Sequence, residues 1–226
     1  MVKKCWLFII GLLLCSCISA YAVDLKFTGF VADQAGVLSN QSVNDINMML
    51  WDLQKKTGAD IAVVTLNSLN GSDVNDVAIQ IGREYKLGDK VKNNGVVFLT
   101  AVNERKMSIQ LGTGLERTVG LNAIENIRDK DILPYYRQEQ YENGIFRGAY
   151  SLAKAVADSE NVTVKTYGNI PPPAGSSGRN DDIPIWAWPF ILLGALFRRR
   201  GRFNSGSFGG FGGGGGFGGC GCSGSW

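Results

Sequence analysis

Every acidic residue of this 226-residue chain lies between Asp24 and Asp182, and the blocks outside that interval are apolar, basic or glycine-rich. Six of the 23 Lys and Arg also fall outside, so the interval holds 17 basic against 20 acidic residues, net −3, while the whole chain is +3. Only the interval has the mixture of charge and periodic apolar residues from which a water-soluble core is built. The front block runs Lys3-Lys4, an apolar stretch from Trp6 to Leu14, then Ala20-Tyr21-Ala22. Basic start, short apolar run and small-residue A-x-A end make a secretory signal, cut after Ala22. Leu14-Cys15-Ser16-Cys17 is a competing lipobox pattern, with Cys17 as the lipidated residue. The rear block is a second apolar run, 183–197, followed by Arg198-Arg199-Arg200. At 1.5 Å per residue it is short for a bilayer core of about 30 Å, but local thinning and snorkelling accommodate short spans. Basic flanks stay cytoplasmic. The expected organisation is a signal peptide 1–22, a domain 23–165, a Pro/Gly/Ser linker 166–182, a membrane segment 183–197, and a basic then glycine-rich disordered tail 198–226. The domain is then extracytoplasmic, at a cytoplasmic membrane, and the tail cytoplasmic.

Cysteine occurs only in the leader and at Cys220 and Cys222, so no disulfide can hold the middle domain. The chain has no histidine, which excludes Ser-His-Asp and Cys-His catalysis and most zinc enzymes. The small and evenly spread charge excludes a nucleic-acid footprint.

Ser39 or Asn40 caps a helix whose apolar face is Val43, Ile46, Leu50 and Leu53, with Gly58 as C-cap. Asp60–Leu66 and Val96–Ala101 are apolar runs of buried-strand type. Between them Ser72 caps a helix bearing Val74, Val77, Ala78 and Ile81. Met107–Leu111 alternates as a half-exposed strand, paired with the preceding one through a turn at Asn103-Glu104-Arg105. One helix follows from about Asn122 to Pro134 and another from about Tyr141 to Ser159. This order predicts an α/β fold, a three-layer α/β/α sandwich on a small mixed β-sheet.

Gly112-Thr113-Gly114-Leu115-Glu116-Arg117 begins like a dinucleotide fingerprint, but its sixth residue is Arg and no helix is expected at once, so it reads as a tight turn. No nucleotide cofactor is expected. Asp129-Lys130-Asp131 has the spacing of a phosphatase pair, but on a helix positions two apart do not face each other. Asp33 and Glu116 stand in loops, where two converging carboxylates could hold Ca2+ with backbone carbonyls. The competing reading pairs Glu116 with Arg105 or Arg117.

Asp33-Gln34-Ala35-Gly36-Val37-Leu38-Ser39, Thr57–Thr65, Asn94–Leu99, Asn103–Lys106, Gly112–Glu116, Ile132-Leu133-Pro134 and Tyr141–Ile145, in that order, resemble the TPM domain family. It comprises bacterial YgcG-like proteins and plant thylakoid lumen relatives, and the tail ending Ser-Gly-Ser-Trp resembles the bacterial members. The resemblance implies a membrane-tethered extracytoplasmic domain. Plant members are associated with photosystem II maintenance and with an acid phosphatase activity, and some members bind calcium. By position Asp33 and Glu116 match acids that recur in the family. Thr118–Asn122 lacks an Asp that many members carry there. The expected function is a non-enzymatic interaction or maintenance factor for envelope or membrane proteins, with a metal-assisted phosphatase as the alternative.

Overall fold

The computed structural model describes residues 25–173 and 220–226. The signal peptide and the membrane segment 183–197 fall outside the described residues. Among those described, no helix is long and apolar enough to cross a membrane.

The elements are β1 (Val31–Asp33), α1 (Asn40–Thr57), β2 (Asp60–Leu66), α2 (Val74–Glu84), β3 (Gly95–Ala101), β4 (Lys106–Leu111), α3 (Thr113–Glu116) and α4 (Leu121–Ile127). A π-helical turn (Arg128–Ile132), α5 (Leu133–Tyr136), α6 (Tyr141–Ser159) and β5 (Gly221–Ser225) complete the set. The strands form one mixed sheet in the order β1-β2-β3-β4-β5. β1, β2 and β3 are parallel, and β4 and β5 are each antiparallel to their preceding neighbour.

Alternation along β2 and β3 divides the apolar residues between two faces, as strand geometry requires. Ile61, Val63, Val96 and Phe98 face α1 and α6, packed with Ile46, Leu50, Leu53, Ile145 and Leu152. Ala62, Val64, Val97 and Leu99 face α2, packed with Val77, Ala78 and Ile81. The expected α/β/α sandwich is present. β1, β2 and β3 step across the sheet in one direction, yet α1 lies on one face and α2 on the other. Crossovers that step the same way on opposite faces have opposite hands. One of the two is therefore left-handed, against the strong preference for right-handed βαβ units.

Ser39 caps α1 by accepting from Ser42 N, and Gly58 ends it in the left-handed conformation at φ 73°. The second helix is capped by Asp73 rather than Ser72, its carboxylate accepting from Asn75 N and Asp76 N. The single helix expected over 122–134 is three pieces, because the π-helical turn inserts between α4 and α5. A short helix also begins directly after Gly112, where none was expected.

The largest correction is at the tail. The disorder expected through residue 226 does not extend over Gly221–Ser225, which pairs with Lys106–Gln110 of β4. The half-exposed strand expected at Met107–Leu111 is consequently buried throughout. Its polar residues meet α2: Ser108 Oγ and Gln110 Nε2 donate to Asn75 Oδ1, at 2.9 and 3.0 Å. A strand in the domain's own sheet lies on the domain's side of any membrane, so a cytoplasmic end to the tail is incompatible with β5. The linker too begins on the domain: Tyr135 donates its hydroxyl to Pro172 O, and Arg147 Nη1 to Pro171 O at 3.5 Å.

Candidate functional site

The parallel strands end together in one row across the sheet, Asp33, Thr65, Thr100, Met107 and Gly224. In open α/β sheets ligands bind outside the carboxyl ends of the strands. This end also receives the amino ends of α1 and α6, the hairpin 102–105 and Trp226.

Asp33 closes the loop that follows it. Oδ1 accepts from Val37 N at 3.2 Å and from the Thr65 hydroxyl, and Oδ2 accepts from Leu38 N at 3.0 Å. Ala35 N donates to the same Thr65 hydroxyl at 3.2 Å. The sequence Asp-x-x-Gly-Val-Leu-Ser therefore folds as a carboxylate-centred turn, with Gly36 at φ 66° and Ser39 delivered as the cap of α1.

Glu142, in the first turn of α6, accepts from Ser39 N at 3.0 Å and Ser42 Oγ at 2.7 Å. Bonds from Ser39 and Ser42 hold its carboxyl below the ordinary range. It joins the start of α6 to the start of α1. Glu104, read from sequence as part of a charged turn, has a defined role. Its Oε1 accepts from Ser68 Oγ at 2.6 Å and Leu69 N at 2.9 Å, tying the hairpin to the loop after β2. Burial pushes this carboxyl up, but the bonds from Ser68 and Leu69 outweigh it and leave it below the ordinary range. Glu104 Oε2 is buried without a hydrogen-bond partner among the described residues.

Behind the row, Tyr136 is fully buried with its hydroxyl 2.7 Å from Thr100 Oγ1. Burial raises its pKa far above that of a free phenol, so it stays neutral. Trp226 covers it, with ring centroids 4.5 Å apart, and lies 6.0 Å from the Tyr141 ring. Two hollows flank the row. One of about 340 Å³ is lined by Val37 and residues 139–143, and one of about 380 Å³ includes Lys26, Asp33, Leu38 and Asn40.

Glu116 is not part of this end. It follows β4, whose last residue Leu111 faces Val96 at the start of β3. On β2 the two levels are Ile61, opposite Val96, and Thr65, opposite Asp33, four residues or about 13 Å apart at strand rise. The structure does not bring Asp33 and Glu116 together. One calcium ion, whose ligands lie about 2.3–2.6 Å away, cannot use both, so the residues do not fit the shared site. Among the described residues no group of three or more His, Cys, Asp or Glu could hold a metal. Of the two arginines in the competing reading, Arg105 pairs with Glu139 at 2.9 Å. The Asp129/Asp131 pair is divided as expected: Asp129 meets Arg128 at 2.7 Å, and Asp131 accepts from Arg147 Nε at 2.9 Å and Ser151 Oγ at 2.8 Å.

Gly112-Thr113-Gly114 is a packing device at that opposite end. A Cβ on Gly114 would lie 1.7 Å from Lys92 O, and one on Gly112 2.2 Å from Asn93 O. Two glycines here let the chain leave β4 against the backbone of the 92–95 loop.

The remaining feature at the row is the groove that β5 fills. Cys222, Gly224 and Trp226 face the helical layer of α4 and α5, while Ser223 faces α2. Cys222 is buried, a Cβ on Gly224 would lie 3.0 Å from Arg128 Cδ, and Arg128 Nη1 donates to Ser223 O at 3.0 Å. On the face shared with Ser223 a Cβ on Gly221 would lie 2.3 Å from both Gln110 Oε1 and Ile109 O. Small residues at 221 and 224 and an aromatic at 226 are what this groove admits.

The TPM domain family matches residues 31–155, more than half of the chain, and the chain belongs to that family. Among curated proteins it is 25% identical over 129 residues to the chloroplastic UPF0603 protein Os05g0401100 of Oryza sativa subsp. japonica, covering 56% of this chain and 43% of that one. It is 23% identical over 140 residues to the chloroplastic UPF0603 protein At1g54780 of Arabidopsis thaliana, covering 60% and 49%. The matched region thus spans about half the length of these relatives. Among solved structures, the N-terminal domain of a P. gingivalis protein, determined by solution NMR, shares the fold, with TM-score 0.55 and 24% identity over 63% of this chain and 88% of that one.

Proposed function

We propose that this TPM domain is a non-enzymatic interaction module for envelope or membrane proteins, working by strand addition. The observation that supports it is β5: the free edge of β4 takes up an extended segment and seats its aromatic end against Tyr136 and Tyr141. Backbone pairing at a sheet edge supplies affinity, and side-chain pockets on alternate residues supply selectivity. The acids at the strand-end row also favour this reading. Asp33, Glu104 and Glu142 each accept two or more hydrogen bonds from the domain itself and serve to close its loops.

The leader pattern supports export of the domain, and the apolar run 183–197 supports attachment to the membrane. With β5 in the sheet, Pro173 and Cys220 both belong to the domain and lie on the same side of any membrane.

The test uses a fluorescent peptide of sequence 220–226, with serine for both cysteines, titrated into the full chain carrying Trp226→Ala. Saturable binding to this variant, weaker in the wild-type chain whose groove is filled, is expected. Absence of binding to the variant at millimolar peptide contradicts the proposal.

The buried unpartnered Glu104 Oε2 favours a second reading, a metal-assisted phosphatase at the strand-end row. It requires aryl phosphate turnover by the purified chain that is lost with chelator and restored by calcium. Turnover insensitive to chelator, or none, removes it.

A further inference from the structure

The β4–β5 contact differs from every other strand contact in the sheet. β1 to β4 lie on one matched stretch of chain, whereas β5 arrives from beyond residues 174–219. Its hold is local. The backbone ladder runs from Leu111 N donating to Cys220 O at 3.0 Å to Trp226 N donating to Arg105 O at 3.3 Å. Arg128 adds one bond to Ser223 O. Only Cys222 and Trp226 carry side chains into the core. Glycine at 221 and 224 adds no side-chain burial and raises the entropy lost on docking. A segment held in this way can detach while β1 to β4 and the helices stay packed.

We propose that β5 is an exchangeable strand: residues 220–226 of one copy occupy the β4 edge of a second copy. The occupant is specified by the groove itself, which in the structure accepts this sequence with glycine at 221 and 224 and tryptophan at 226. A second copy offers the same seven residues with the same inward face. Residues 174–219 separate β5 from the other strands in sequence, and the effective concentration of a tethered segment falls as its tether lengthens. On a membrane crowded with this chain, neighbours compete at similar concentration. The result is a linked array in which each sheet is completed by its neighbour. Closed exchange gives dimers and open exchange gives chains. This inference rests on the reading of the β4 edge as a strand-receiving surface.

Ser108 and Ser223 face each other across β4 and β5. Leu111–Cys220 and Arg105–Trp226 are hydrogen-bonded pairs, so by alternation Ser108–Ser223 is a non-hydrogen-bonded pair, with Cα atoms about 4.5 Å apart. That spacing lies within disulfide reach. The experiment uses full chains with Cys5, Cys15, Cys17 and Cys220 replaced by Ser and Cys222 by Ala. One tagged chain carries Ser108→Cys and a differently tagged chain carries Ser223→Cys. They are reconstituted together and oxidised with copper phenanthroline. Exchange predicts a mixed-tag disulfide dimer, reduced on the order of tenfold when the Ser223→Cys chain also carries Trp226→Ala. A single chain carrying both cysteines is the control. If it closes its own disulfide and no mixed dimer forms, exchange is overturned while the strand-receiving edge stands. If it does not close either, the β5 pairing falls as well. Peptide binding to the Trp226→Ala chain separates the two claims in the same way, since it concerns the edge alone.

Discussion

Trp226 sets its ring 4.5 Å from the ring of Tyr136, whose hydroxyl reaches Thr100 in the row where the parallel strands end. The last residue of the sequence thus packs on the core beside the strand-end row. Replacing a fully buried aromatic by Ala costs about 3–5 kcal/mol. Trp226 is half-buried, so Trp226→Ala should cost about 2 kcal/mol on the same scale. Urea denaturation of the two full chains checks it, and a loss below a few tenths of a kcal/mol would show that the ring is not seated.

Gly114→Ala should be among the most damaging small changes in the chain, because the new Cβ would meet Lys92 O at 1.7 Å. Overpacking of this kind costs about 1–3 kcal/mol. Gly36→Ala meets nothing within 4 Å and carries only the strain of φ +66°, about 1 kcal/mol. Thermal melts of the two variants should therefore fall in that order, and the reverse order would contradict the packing role of the Gly112–Gly114 turn.

Asp33→Ala removes three hydrogen bonds that close the loop before α1. Bonds to a charged acceptor contribute about 1.5–3 kcal/mol each at most, and they share one ion, so a net loss of about 2–3 kcal/mol is expected. Chemical denaturation measures it. If stability is unchanged while peptide or phosphate-ester chemistry is lost, Asp33 is a ligand-directed residue rather than a structural one.

Glu142 makes a signed pH prediction. Its folded pKa is lowered below 4.5, so the folded state binds that proton less readily than the unfolded chain. The stability it contributes is present above pH 4.5 and lost as pH falls from there through the lowered folded value. Glu104 acts in the same direction. Glu142→Gln should be less stable than wild type at pH 6, and the gap should narrow by pH 3. A gap that widens in acid would contradict the Ser39–Glu142–Ser42 link.

The elements legible in the sequence were those whose pattern is local. Val43, Ile46, Leu50 and Leu53 mark α1, and the apolar runs mark β2 and β3 because both faces of those strands are covered. β1 was not legible: three residues, Val31–Asp33, carry too little periodicity. The π-helical turn was hidden because its five residues read as continuous helix. Cys-Gly-Cys-Ser-Gly-Ser has no strand preference. Its conformation is imposed by the β4 edge, and the one sequence signal for it was the closing aromatic. Ser108 and Gln110 pointed to a solvent face and instead bond Asn75 beneath α2. Asp33 and Glu116 were paired as loop acids, since loop position alone does not tell which end of a sheet a connection leaves.

The central claim, that residues 220–226 complete the sheet, is tested most directly by backbone amide exchange on β4. Leu111 N donates to Cys220 O, and by ladder alternation the amides of Ile109 and Met107 point to β5 as well, while those of Ser108 and Gln110 point to β3. In the full chain all five should be slow. In a chain ending at Gly219, Met107, Ile109 and Leu111 should exchange at least tenfold faster, with Ser108 and Gln110 still protected. Equal protection of Leu111 with and without residues 220–226 would contradict the fold as described.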